Sequence, residues 1–212
     1  MITGIVLAGG RSSRFGDDKL ASLLEGVPVL HRALRAVGQV AGDVVLVLAP
    51  GSPVPVLPPD LATRLAVAHD AQPGGGPLAG LAAGLAAGPA PSAQLGQASR
   101  GEDGPRIALV VGGDMPWLDP AVLRLLATRL EAGDRIVAMT LGSSAAAPLP
   151  LAVRAVAARA AVEACLAGSR RSLRSLLEAV PSGVVPEAEW RALDPQGRTL
   201  WDVDVPSDLD RR

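Results

Sequence analysis

Three short runs in this chain are apolar almost without interruption: residues 4–8 (GIVLA), 43–49 (DVVLVLA) and 107–111 (IALVV). A strand with one wet face alternates apolar and polar side chains. A strand with no polar face has to be covered on both sides, as in a parallel sheet. Between these runs, residues 27–40 and 120–132 carry apolar side chains at helical spacing, and Pro28 and Pro120 suit first-turn positions. Strand–helix alternation of this kind predicts an α/β, Rossmann-like fold whose mostly parallel sheet is flanked by helices on both faces. Such sheets bind ligands beyond the carboxyl ends of their strands, where the strand order reverses.

The first run breaks into a glycine-rich loop, GGRSSRFGDDK, spanning residues 9–19. Glycines after a strand let backbone N–H groups approach phosphate oxygens, and cations then neutralise the charge. Gly10 and Gly16 have five residues between them and Lys19 follows three positions later, so the loop is no Walker A, and it contains no G-x-G-x-x-G. Lys19 is the only lysine in the chain, against 19 arginines. A compact ammonium with rotatable donors suits a crowded di- or triphosphate better than a planar fork does. Lys19 is therefore the expected phosphate contact, with Arg14 the accompanying cation of the loop.

Further along, residues 64–68 read as a strand ending in His69-Asp70, and the glycine cluster 74–80 opens an alanine-rich helix. Residues 89–105 are rich in Gly, Ser, Ala and Pro without periodicity and read as a mobile insertion. Strands are expected over 135–141, 148–153 and 200–205, helices over 154–166 and from Ser172 to Ala179, and a terminal helical turn from Pro206. With 212 residues, the chain is expected to form a single domain, 1–212. A net charge of −1 and a scarcity of aromatics (one Phe, three Trp, no Tyr) argue against nucleic acid or a membrane surface as partner. A single cysteine and two histidines give no disulfide framework and little basis for zinc. With no apolar run of spanning length and a first strand beginning almost at Met1, a cytoplasmic protein is expected.

Asp114 follows an apolar strand and two glycines, a strand-end carboxylate of the kind that holds Mg²⁺ together with phosphate oxygens and water. Its other reading, a helix cap, is better filled by Asp119 immediately before Pro120. Asp202 and Asp204 share a side if 200–205 is extended; either completes the metal site, with Asp204 the one paired with Asp114 here, or the two belong to a solvated edge strand and an N-cap of the terminal helix. Asp70 either accepts hydrogen bonds from a nucleoside or caps a turn. Arg170, Arg171 and Arg174 either meet a phosphorylated acceptor or form a solvated face. His31 and His69 are expected to be structural. Ser12, Ser13 and Ser99 have no His/Asp partners, so nucleophilic hydrolysis has little support.

These residues carry a resemblance. LAGGRSSRFG-DDK (Leu7 to Lys19), GPLAG (Gly76 to Gly80), GDMP (Gly113 to Pro116) and DVDVP (Asp202 to Pro206) resemble, in order, the motifs of the MobA-like nucleotidyltransferases. The similarity is strongest to the guanylyl-transferring members, which join GMP from GTP-Mg²⁺ to the terminal phosphate of molybdopterin and release pyrophosphate. The resemblance implies that Leu7, Ala8, Gly9 and Gly10 meet the nucleotide and Lys19 its phosphates. It implies that Asp70 and Gly76, Pro77, Leu78 and Gly80 lie near the nucleoside, and that Asp114 binds Mg²⁺. It also implies a molybdopterin-type acceptor and transient contact with proteins that deliver or receive the cofactor. The Asp202-Val203-Asp204 form is similar to the cytidylyl-transferring members instead, so a cytidylyltransferase stays open. So does a catalytically silent nucleotide-binding module, because residues 142–147 lack the Arg or His that the family often carries there.

Overall fold

Every strand that the three apolar runs predict pairs in one seven-stranded sheet. The computed structural model describes residues 1–9, 19–71, 73–87, 107–142 and 145–211. Gly10, Arg14, most of the first loop and the 89–105 stretch lie outside them. The strands are β1 (Ile2–Ala8), β4 (Asp43–Leu48), β5 (Leu65–His69), β6 (Ile107–Gly112), β7 (Ile136–Met139), β8 (Leu151–Arg154) and β9 (Gly183–Val185), ordered β5-β4-β1-β6-β8-β7-β9. All neighbours are parallel except β8, which is antiparallel to both β6 and β7. The order reverses between β1 and β6, because β4 and β5 continue on one side of β1 while β6 returns on the other.

Period-two alternation distributes the apolar runs between two cores. Val6, Val44, Leu46, Leu109 and Val111 point to one face, where they meet Leu30 and Leu34 of α1 (Val29–Gly38) and Leu123 and Leu126 of α3 (Pro120–Glu131). Ile5, Val45, Val47, Ala108 and Val110 point to the other. There they meet α2 (Gly76–Ala87), α4 (Ala155–Ala167) and α5 (Leu173–Ala179). Helices therefore cover both faces, which is why β1, β4 and β6 need no polar side. Gly84 lets α2 approach closely: a Cβ there would lie 2.6 Å from Ile5 Cγ2. Among the described residues no helix is long and apolar enough to cross a membrane.

The structure corrects several local expectations. The helix expected over 27–40 begins only at Val29. Val27–Pro28 (β3) instead pairs with Leu23–Leu24 (β2) in a small hairpin. Its turn residues Glu25 and Gly26 both have positive φ, 51° and 78°, as tight two-residue hairpin turns require. Residues 200–205 form no strand. Leu200 closes a short 3₁₀ turn (Arg198–Leu200) and the chain then runs extended without a ladder. The reason lies in where its N–H groups go: Val203 donates to Asp114 O at 2.9 Å, and Asp204 and Val205 donate to the Asp208 carboxylate. The sequence pattern also missed β9 and the short helix α6 (Glu187–Trp190), whose Trp190 is fully buried and donates from its indole to Thr140 O.

Candidate active site

Register puts four strand ends level. Ala8 lies opposite Leu48, Leu48 opposite His69, and Leu7 opposite Gly112, so β1, β4, β5 and β6 finish along one edge. That edge is fastened by the N–H of Gly113 donating to Leu7 O at 2.9 Å and the N–H of Asp70 donating to Leu48 O at 2.9 Å. Asp114 leaves it directly after β6. Asp119 caps α3, its carboxylate accepting from the N–H of Ala121 at 2.7 Å, so the capping role is filled and Asp114 is left for other work.

What that work involves is visible in its partners. Lys19 Nζ donates to Asp114 Oδ2 at 2.7 Å and to Asp204 Oδ1 at 3.4 Å. Residues 95 and 185 positions away from Lys19 thus converge on its one ammonium. The Lys19 side chain is only 13% exposed, whereas that of Asp204 is 55% exposed, so the cluster is open to solvent on the carboxylate side. Burial alone would lower the lysine's pKa, but the hydrogen bond and charge of Asp114, helped by Asp204, raise it above the usual lysine value. Lys19 is therefore a permanent cation. Asp202 flanks the same cluster. Partial desolvation of this largely exposed carboxylate, then the negative charges of Asp204 and Asp114, hold its pKa above the usual carboxylate value.

The other expected residues occupy distinct places. Leu7 and Ala8 end β1 at the reversal point and Gly9 follows, with Leu7 O engaged by Gly113. Asp70 lies half-buried on the same edge beside β4. Gly76 to Gly80 form the first turn of α2, so the glycine cluster opens that helix as its sequence predicts. Leu78 is completely buried and Gly80 faces Leu7 and Val47, so their side-chain positions serve packing. The N–H of Leu78 is already taken by Arg171 O at 3.1 Å, while Arg171 Nη1 donates to Gly74 O at 3.0 Å. Gly76 has φ +74°, and a Cβ there would lie 2.8 Å from Arg171 O, so only glycine fits under that strap. His31 and His69 point their Nε2 atoms to Val56 O and Ser52 O, tying down the proline-rich 50–57 connection. Two features escaped sequence reasoning: the edge-to-face Trp117–Trp201 pair beside Asp114, with ring centroids 5.8 Å apart, and the Asp208 carboxylate. An acid two residues after Pro206 was the available signal for the second.

A cation and facing carboxylates thus lie at the order-reversal edge of a doubly wound α/β sheet, where folds of this class bind their ligands. The family model described as MobA-like NTP transferase domain matches residues 4–184. A probable molybdenum cofactor guanylyltransferase of Chloroflexus aggregans is 32% identical over 99% of this chain and 92% of its own length. A protein of the same name from Mycobacterium tuberculosis is 34% identical over 65% of this chain and 61% of its own length. The crystal structure of molybdopterin-guanine dinucleotide biosynthesis protein A from Archaeoglobus fulgidus superposes with a TM-score of 0.75 over 100% of this chain and 96% of its own. At 21% identity that likeness concerns the fold. The chain belongs to the MobA-like NTP transferase family, and it is a nucleotidyltransferase.

Proposed function

We propose that this enzyme transfers GMP from GTP to the terminal phosphate of a molybdopterin acceptor and releases pyrophosphate, with Mg²⁺ bound at Asp114 and Asp204. The observation that carries the reading is the convergence of Lys19, Asp114 and Asp204 from three distant parts of the chain. The names of the relatives support the guanylyl and molybdopterin parts.

The donor set suits the metal. Both carboxylates already face a cation, and they offer hard oxygen ligands. Among the described residues no group of three or more His, Cys, Asp or Glu is arranged to hold an ion. Magnesium needs no such cage, because substrate phosphates and water complete its shell. When bound, it neutralises charge on the phosphate oxygens.

The chain's own residues do the rest. An acceptor phosphate oxygen attacks the α-phosphorus in line; the new O–P bond forms as the bond to the β-phosphate oxygen breaks, and pyrophosphate leaves. No covalent enzyme intermediate is required, because positioning and charge compensation lower the barrier. Lys19 meets the triphosphate with its ammonium, and Arg14 adds a second positive charge from the first loop. The ends of β1 and β5, with Leu7 to Gly10 and Asp70, wall the nucleoside, and the first turn of α2 (Gly76, Pro77, Leu78, Gly80) lies near it, the Leu78 N–H staying with Arg171 O. One observation favours a second reading: Asp202-Val203-Asp204 has the form found in cytidylyl-transferring members, which would make CTP the donor. An acceptor panel with pyrophosphate readout tests the proposal. Release is expected only with nucleotide, Mg²⁺ and molybdopterin together, and release with other acceptors but not with molybdopterin would overturn it.

A further inference from the structure

The Asp204 carboxylate belongs to a segment with no ladder, so something other than the sheet has to hold it. Two backbone anchors flank it. The N–H of Val203 donates to Asp114 O at 2.9 Å, and the N–H of Asp204 donates to Asp208 Oδ2 at 2.7 Å. The same Oδ2 accepts from Val205 at 2.9 Å. Oδ1 is paired with Arg211 Nη2 at 2.7 Å, and the Arg211 guanidinium lies over Trp201, 5.7 Å from its ring centre. Trp201 in turn packs edge-to-face on Trp117, three residues after Asp114. Asp208 is one of three polar or charged residues, among those described, that are buried, at 5% exposure. Burial would raise its pKa, yet the two N–H donors and Arg211 hold it below the usual carboxylate value. A buried acid spending its acceptors on the backbone of a neighbouring acid fixes where that neighbour points.

We propose that Asp208 is a positioning residue for Asp204: by clamping the Asp204 and Val205 N–H groups it holds the Asp204 carboxylate opposite Asp114 and Lys19, where the metal-bound triphosphate is to sit. This rests on the reading of Asp204 as a metal ligand. Asp208 touches no substrate; it acts through the backbone. A purely structural role, capping the terminal 3₁₀ turn (Pro206–Asp210), would change stability and leave metal binding alone.

The test measures Mn²⁺ affinity of the nucleotide-free protein by electron paramagnetic resonance, beside the melting midpoint. Asp208→Ala is expected to weaken Mn²⁺ binding about tenfold, Asp204→Ala to do the same, and the double variant to be no weaker than either alone, because the two residues act as one unit. Asp208→Asn retains an oxygen that can accept both N–H groups and is expected to stay within about threefold of the wild type. If Asp208→Ala does not fold, Asp208→Glu carries the same test: it keeps the charge but shifts the acceptor by one methylene, and it should still weaken Mn²⁺. A lowered melting midpoint with unchanged Mn²⁺ affinity in Asp208→Ala, while Asp204→Ala weakens binding, overturns the positioning role alone. Unchanged affinity in Asp204→Ala overturns the metal reading of Asp204 and this proposal with it.

Discussion

Replacing Lys19 with methionine removes one positive charge while keeping most of the side-chain volume, and its consequences should run in opposite directions for metal and for turnover. In the free enzyme the ammonium is the counter-ion of Asp114 and Asp204, 2.7 Å and 3.4 Å away, which is where the proposal puts a divalent cation. Two opposite unit charges about 4 Å apart attract by about 4 kcal/mol at an effective dielectric constant near 20. The pair is partly exposed, with side chains 13% and 28% accessible, so solvent screening reduces that figure; exposed pairs are worth about 0–1 kcal/mol. Taking roughly 1.4 kcal/mol between these limits, a metal ion entering the Lys19→Met site no longer displaces a resident cation and gains about tenfold in affinity. Transfer should nevertheless fall by about 10²–10³-fold, since the donor to the triphosphate is gone. Mn²⁺ titration of the nucleotide-free protein gives the first quantity and pyrophosphate release the second. Mn²⁺ binding that is unchanged or weaker in Lys19→Met would refute the idea that the ammonium occupies the metal's place.

Asp114→Ala is expected to abolish Mg²⁺-dependent turnover with the circular dichroism spectrum preserved; near-normal turnover at saturating metal would remove Asp114 from the mechanism. Lys19→Arg should lose at least about tenfold in kcat/KM despite retained charge, because the guanidinium is larger and planar and replaces a compact ammonium whose side chain is only 13% exposed; full activity would show that charge alone matters. Gly84→Ala places a methyl 2.6 Å from Ile5 Cγ2 and 3.1 Å from Val47 Cγ2, forcing α2 off the sheet. Overpacking costs about 1–3 kcal/mol and helix propensity returns about 1, a net loss of up to about 2 kcal/mol, so the melting midpoint should drop by up to roughly 8 °C.

The layers of this fold were legible because β1, β4 and β6 are covered on both faces, and that condition writes itself into sequence as runs without polar interruption. Lys19 and Asp114 were legible for a related reason: each follows a strand that the pattern identifies, so the shared edge could be inferred before their distance was known. The segment 200–205 misled because buried Val203 between exposed Asp202 and Asp204 has the period of a strand, while its hydrogen bonds go to Asp114 and Asp208. Side-chain alternation records burial, not ladder partners. The hairpin of β2 and β3 was hidden by its length of two residues per strand, too short for any period to register. The bond of Arg171 O to the Leu78 N–H at the start of α2 could not be read from sequence, because a carbonyl is carried by every residue.

The choice of base bears most directly on the account. A pocket built to hydrogen-bond one base leaves buried polar groups unpaired with another, which can be worth ~10⁴-fold in discrimination. The enzyme is to be given GTP and CTP at equal concentration with Mg²⁺ and molybdopterin, and the dinucleotide product identified by mass. The guanine dinucleotide is predicted in large excess; a predominance of the cytosine product would contradict the assignment and make Asp202-Val203-Asp204 the mark of a cytidylyltransferase.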